Sequence, residues 1–318
     1  MVKKIYGVLD FENEFYFGGD ILGSCIETIL KNIRIKLYFP LLNPSVKEQI
    51  KDSGFNSNNI IAPQIHFPNL NPHLNWGRLF SYPDITVQIN YIIIEIFDFP
   101  NNFEQTVFSN IEHFLDLLFK YCKIISRNIY DKDNETIKLS GPLNLYAING
   151  NSVKKIPNIY SEQKIDMDFS HIENNVTLEQ LSTAIKFSSL DIEIPLEYEL
   201  ILKSYYDLEN SDYRSAVINA NTALEVTLSK KILSVLNSIN FPNPENLLKK
   251  FQMVSKKFEL LKLLNIDIPT TDYSNKIIQP RNDAVHKGKF LNRKIASTVI
   301  SEVEKYLDDF SPLTKLIE

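Results

Sequence analysis

Late in the chain stands the run Arg281-Asn282-Asp283-Ala284-Val285-His286. An imidazole gives or takes a proton near neutrality, because its ordinary pKa of about 6.5 falls there. A guanidinium is planar and permanently charged, and its fork of donors matches the oxygens of a phosphate. Together they suit proton transfer at a phosphoryl centre whose growing negative charge needs a fixed cation. The Arg-x4-His spacing alone carries little weight. Its setting adds more: residues 246–294 hold 11 basic side chains against 4 acidic ones, in a protein whose formal net charge is −5. A basic stretch in an acidic protein points to a polyanion better than overall pI does, although a solvated helix face carries the same charge.

Other chemistries find less support. His66, His73, His113 and His171 lack an HExxH-like spacing with carboxylates, and Asp166-Met167-Asp168 reads as solvated charge rather than a metal pair. No GxGxxG, GxxxxGK or GxSxG occurs, and nine glycines are few for a phosphate-cradling loop. Neither a metal nor a cofactor is expected. Trp76, Phe80 and Tyr82 are read as core packing, with stacking on a base as the alternative. Cys25 and Cys122 are the only cysteines, so a disulfide framework is excluded and a reducing cytoplasm is expected. The longest apolar run, near 91–97, is broken by Glu95, and nothing approaches the roughly 18 residues of a membrane span. A pI near 5.7 argues against coating nucleic acid by bulk charge.

The elements that must position Arg281 and His286 are helices. Amphipathic periodicity covers 196–208, 212–239, 244–264, 273–287 and 293–310, with short connections at 209–211, 240–243 and 265–272. Short links between long amphipathic helices make antiparallel neighbours, hence an up-and-down helical bundle over 191–318. Asp212 fits the N-cap of the second helix and Gly288 a C-terminal stop. On an ideal helix Arg281 and His286 lie about 140° apart and roughly 7.5 Å along the axis, so they share no narrow stripe. Pro280 should kink the helix just before Arg281, and a bend plus long side chains, or a two-fold seam, would bring the pair into one cleft. On the second helix Val217, Asn221, Leu224, Leu228, Ile232, Val235 and Ile239 form an apolar seam with Asn221 as its polar intruder. Glu225 flanks that seam. Arg281 is a candidate cationic partner; the other reading is that Glu225 faces solvent or pairs with a lysine near 229–231.

Residues 1–190 have another grammar. Strand-like sequence covers 4–11, 33–39 and, most strongly, 85–97; an amphipathic helix follows with Val107, Ile111, Phe114, Leu115, Leu118, Tyr121 and Cys122 on its apolar side. Residues 136–148 return to strand-like sequence around Gly141 and Pro142, and 43–75 is rich in turns. The fold class is thus an α+β N-terminal domain over 1–190, followed by the all-α bundle.

RNDAVH resembles the R-x(4–6)-H signature of the HEPN superfamily, whose second residue is usually polar. The run 212–232, DYRSAVINANTALEVTLSKKI, is similar to the second helix of many bacterial HEPN domains. The resemblance covers about 195–312, leaving 1–190 as an accessory or sensor domain, as in ApeA-like phage-defence proteins. It implies a metal-independent endoribonuclease: a cytoplasmic toxin or antiviral effector, working as a homodimer with both motifs at the seam. A regulatory protein or phage-derived trigger would control it, and no membrane is involved. The residues fit that chemistry. RNA carries its own nucleophile in the 2′-hydroxyl, so no metal is required. His286 would be the general acid and base, Arg281 the phosphate clamp, and Asn282 a hydrogen bonder to the phosphate or the catalytic pair, with Glu225 and Asn221 in support. A non-catalytic HEPN-type module for dimerisation or binding, with recognition by the N-terminal domain, is the alternative.

Overall fold

β-Branched and aromatic residues dominate the strands of the N-terminal part, and helical repeats take over after residue 195. The computed structural model describes residues 4–10, 16–44, 60–65, 74–80, 85–97, 104–126, 144–149, 152–155, 175–269, 272–286 and 291–317. The chain divides into two compact units: Met1–Tyr130 with Asn134–Ile192, and Glu193–Glu318 with 131–133. Among the described residues no helix is long and apolar enough to cross a membrane.

In the first unit β1 (Lys4–Asp10), β3 (Cys25–Leu30), β4 (Ile33–Tyr38), β9 (Tyr91–Phe97), β10 (Asn144–Asn149) and β11 (Ser152–Lys155) form an antiparallel sheet in the order β11-β10-β1-β9-β4-β3. A second sheet orders β2 (Tyr16–Gly18), β8 (Thr86–Ile89) and β7 (Gly77–Phe80) as β2-β8-β7, and β5 (Leu41–Leu42) pairs with β6 (Ile60–Ile61). The expected continuous strand over 85–97 is therefore two strands in two sheets. The break is Asn90, whose N–H donates to Trp76 O and whose amide donates to Asn75 O. Register explains the core of the large sheet. Ile5, Ile96 and Ile35 stand opposite one another, as do Ile94 and Leu37, and all five are buried. Glu95, directly opposite Tyr6 and Lys36, lies on the other face. The helices α1 (Glu104–Ser126) and α2 (Leu178–Ser189) pack together, with Tyr121 stacked on Phe187 at 4.9 Å. The helix α2 was not foreseen, yet Thr177 and Gln180 close a reciprocal capping box at its start.

The second unit is helical throughout its described residues: α3 (Leu196–Glu209), α4 (Tyr213–Ser238), α5 (Pro244–Leu248), α6 (Val254–Leu263), a π turn (Ser274–Ile278), α7 (Gln279–His286) and α8 (Arg293–Phe310). Asp212 caps α4 by accepting from Ser215 N–H at 3.0 Å. The pairs Asp207 with Asn219 and Glu197 with Lys230 climb α3 as they descend α4, so the two helices are antiparallel. Tyr205 with Glu304 and Tyr198 with Ser311 relate α3 to α8 in the same way. The helix expected over 244–264 is two helices. The end of α5 tightens into i→i−3 bonds (Lys250 to Leu247, Phe251 to Leu248), and Met253 is extended before α6 restarts. The α4 seam holds from Val217 to Ile232, after which Leu236 is buried and Ile239 is exposed. A strict i, i+4, i+7 stripe drifts off one face of a 3.6-residue helix.

Candidate functional site

The short helix α7 carries Arg281, Asn282 and His286, and the π turn before it accounts for Pro280. A proline in an α-helix lacks the N–H for the carbonyl four residues back, and its ring collides with that carbonyl, here Lys276 O. In the π turn bonds close over five residues, as Gln279 N–H does onto Ser274 O. A π turn thus leads directly into the proline that was expected to kink the helix, and such turns are themselves places where helices bend. Lys276 Nζ donates to Glu302 of α8 at 2.9 Å, and Tyr273 stacks on Phe258 of α6 at 3.9 Å, so the turn is tied to both helices. Ile277 and Ala284 are buried, seven residues apart on one face. They anchor α7 to the unit while Arg281 and Asn282 stay half-buried and His286 exposed.

Arg281 Nη1 lies 3.3 Å from His286 Nε2, and Asn282 Oδ1 accepts from the same Nη1 at 3.5 Å. Reach overcomes the angular separation: a guanidinium on a three-carbon stem folds along the helix to the imidazole one turn on. A guanidinium has five donors and no acceptor. Arg281 is therefore the donor in this contact and Nε2 the acceptor, beside a fixed positive charge.

Four cations of the basic stretch are already compensated. Lys256 pairs with Glu259, Lys257 with Glu225, Lys276 with Glu302 and Arg293 with Glu209. Three of those carboxylates come from outside 246–294, so sequence arithmetic overstates the local positive field. Among the described residues no carboxylate pairs with Arg281, Lys249, Lys250 or Lys294. Of these four, only Arg281 is withdrawn from solvent and set beside a titratable side chain.

Glu225 is not the partner of Arg281. Its Oε1 accepts from Lys257 Nζ at 3.1 Å, and its carbonyl accepts from the same ammonium at 3.4 Å. Lys257 is buried and needs a counter-charge within reach; α6 delivers it to α4 at that level. Asn221 is buried, but its amide donates to Val217 O one turn back at 3.0 Å and bonds none of the motif side chains. The structure thus unites Arg281, Asn282 and His286 and leaves Glu225 and Asn221 apart from them. Comparison with protein-family models, curated proteins and solved structures finds no match to this chain.

Of the remaining histidines only His113 lies among the described residues; its Nε2 is 2.6 Å from Asp191 Oδ1, and Lys31 holds the other oxygen at 3.2 Å. Those two bonds, Lys31 first, hold the Asp191 carboxyl below the usual range. No spacing rule finds this trio, since its members are 31, 113 and 191. His66, His73, His171, the 166–168 run, Tyr82 and Gly288 lie outside the described residues, as does the Phe80 side chain. Trp76 is buried edge-on to Tyr91 at 6.0 Å. Glu95, buried in the large sheet, accepts from Tyr6 at 2.7 Å and from Tyr38 at 2.5 Å. Burial first, then these bonds to the carboxylate, push both phenols far up. Among the described residues no three His, Cys, Asp or Glu side chains gather as a metal ion would require.

Proposed function

We propose that the helical unit is a HEPN-like bundle that cuts RNA without a metal, with Arg281, Asn282 and His286 as its working residues. The observation that carries this reading is the 3.3 Å approach of Arg281 Nη1 to His286 Nε2 on an accessible helix. His286 is the proton-transfer group, within reach of the proton exchanged at the 2′-hydroxyl or at the 5′-leaving oxygen. The guanidinium, which no described carboxylate neutralises, stabilises the phosphoryl oxygens as charge builds. Asn282 steadies the guanidinium through its Oδ1. The chain acts as a two-fold dimer through its bundle, in the cytoplasm, as a toxin or antiviral effector whose first unit senses a phage-derived or protein signal.

The test is incubation of the purified chain with an RNA and a DNA of the same sequence, in EDTA. Cleavage of the RNA alone, leaving 2′,3′-cyclic phosphate ends, is the expected result. Cleavage of both, or of neither across a range of cellular RNAs, would remove this reading. Light scattering at micromolar concentration should give a mass near twice the 36.8 kDa of one chain.

A further inference from the structure

The arrangement of Arg281 and His286 has a consequence for binding that does not depend on cleavage. The Nε2 lone pair is capped, in the ligand-free chain, by a hydrogen on Arg281 Nη1. Neither group has a better partner among the described residues: Asn282 Oδ1 sits at the long limit of a hydrogen bond, and no carboxylate reaches either side chain. A half-buried guanidinium satisfied only by neutral acceptors is an anion site awaiting an anion. A singly charged phosphodiester brings stronger acceptors than an imidazole nitrogen, and its oxygens would take the Nη1 hydrogens. Once Nε2 loses that donor it faces an anion instead of a cation, and the imidazolium then becomes the favoured form.

We propose that Arg281 and His286 form a phosphodiester site in which anion binding and proton uptake by His286 are linked: the anion displaces the Arg281–His286 contact, and Nε2 takes one proton from solvent. This rests on the nuclease reading only for the identity of the anion. No covalent bond changes; one proton moves from water to Nε2, and the site gains one negative charge from the anion and one positive charge from the proton.

Several charged groups on the elements packed against α7 are engaged elsewhere. On α4, Glu225 is held by Lys257 and Lys230 by Glu197. In the π turn Lys276 is bound to Glu302 of α8, which also accepts from Lys305. Arg293 at the start of α8 is held by Glu209, and its neighbour Lys294 is exposed. On α7 itself Asp283 accepts from Gln279 at 2.9 Å. An ordinary carboxylate takes up no proton between pH 5.5 and 8.

The measurement uses dimethyl phosphate, a monoanion throughout that range which cannot be cleaved by a 2′-hydroxyl. Binding is followed on the full chain by the 15N resonances of the His286 ring at pH 5.5, 6.5 and 8. The wild type should bind about ten-fold more tightly at pH 5.5 than at pH 8, with the imidazolium pattern growing as the anion is added. His286→Gln, at an exposed position, should bind with an affinity that does not vary with pH, and Arg281→Gln should lose the site. Equal wild-type affinity at pH 5.5 and 8, or a His286 ring blind to the anion, would overturn the linkage. RNA cleavage with no such linkage would leave the nuclease reading standing and remove this one; linkage without cleavage would do the reverse.

Discussion

Arg281 Nη1 and His286 Nε2 approach to 3.3 Å although their positions on the helix project about 140° apart. The longer side chain closes that gap, so the pair tolerates no shortening of its cation. Arg281→Lys keeps the charge but loses the fork, and Nζ cannot serve a phosphate and the imidazole together. RNA cleavage by this variant should fall at least about 100-fold, the scale of losing one preorganised donor to a developing oxyanion. Wild-type rates with lysine at 281 would show that charge alone suffices.

Glu225 belongs to Lys257, and a variant can show it. Glu225→Ala leaves a buried ammonium with a carbonyl as its one remaining acceptor, which should cost about 1–3 kcal/mol in urea unfolding. Adding Lys257→Met should recover most of the loss. If Glu225 instead neutralised Arg281, the second change would restore nothing.

Acid should unfold the helical unit early. Burial alone would raise the Glu197 carboxyl, but the hydrogen bonds from Lys230 and Ser311 outweigh it and hold the group below its ordinary value. A carboxylate lowered by folding contributes stability that is present above its unfolded pKa of about 4.3 and is lost as pH falls through the lower folded value. Midpoint temperature should therefore drop steeply below about pH 4, and Glu197→Gln should flatten that drop. Identical acid profiles for the two proteins would contradict the assignment.

Helix ends offer a test of backbone strain. Ser211, Asn240 and Asn265 have φ of 62°, 52° and 53°, and each follows a helix whose last bonds close as a Schellman motif. Ser211→Gly should stabilise by about 1 kcal/mol, and Asn240→Gly by less, because asparagine tolerates the left-handed region better than serine does. Destabilisation by Ser211→Gly would mean that its side chain matters more than its backbone.

Those same caps explain part of what the sequence concealed. A search for glycine after each helix fails here, since Asp191, Ser211, Asn240 and Asn265 fill the left-handed positions. Two of the four are asparagine, which tolerates the left-handed region better than most side chains do. Helix periodicity located α3, α4 and α8 and put Arg281 and His286 on one element. It could not separate α5 from α6, because Leu247, Leu248 and Phe251 keep helical spacing with Phe258 and Leu261 across the break. Nor could alternation show that 85–97 changes sheets at Asn90, as strand propensity is equal on both sides of it. The helix α2 is legible through the capping box of Thr177 and Gln180, while its apolar face is too short for periodicity to show it. The partner of Glu225 was beyond reach: a carboxylate flanking a seam announces that it needs a cation, not which neighbouring helix supplies it.

The central claim is that His286 is the proton-transfer group of an RNA-cleaving site. The measurement that meets it most directly is cleavage of total cellular RNA, in EDTA, by the wild type and by His286→Ala at matched thermal stability. His286 is exposed, so its loss should leave the stability within about 0.5 kcal/mol of the wild type. Cleavage should fall by 100-fold or more, the usual share of a general acid–base group. Equal cleavage by the two proteins would take His286 out of the mechanism and contradict the account.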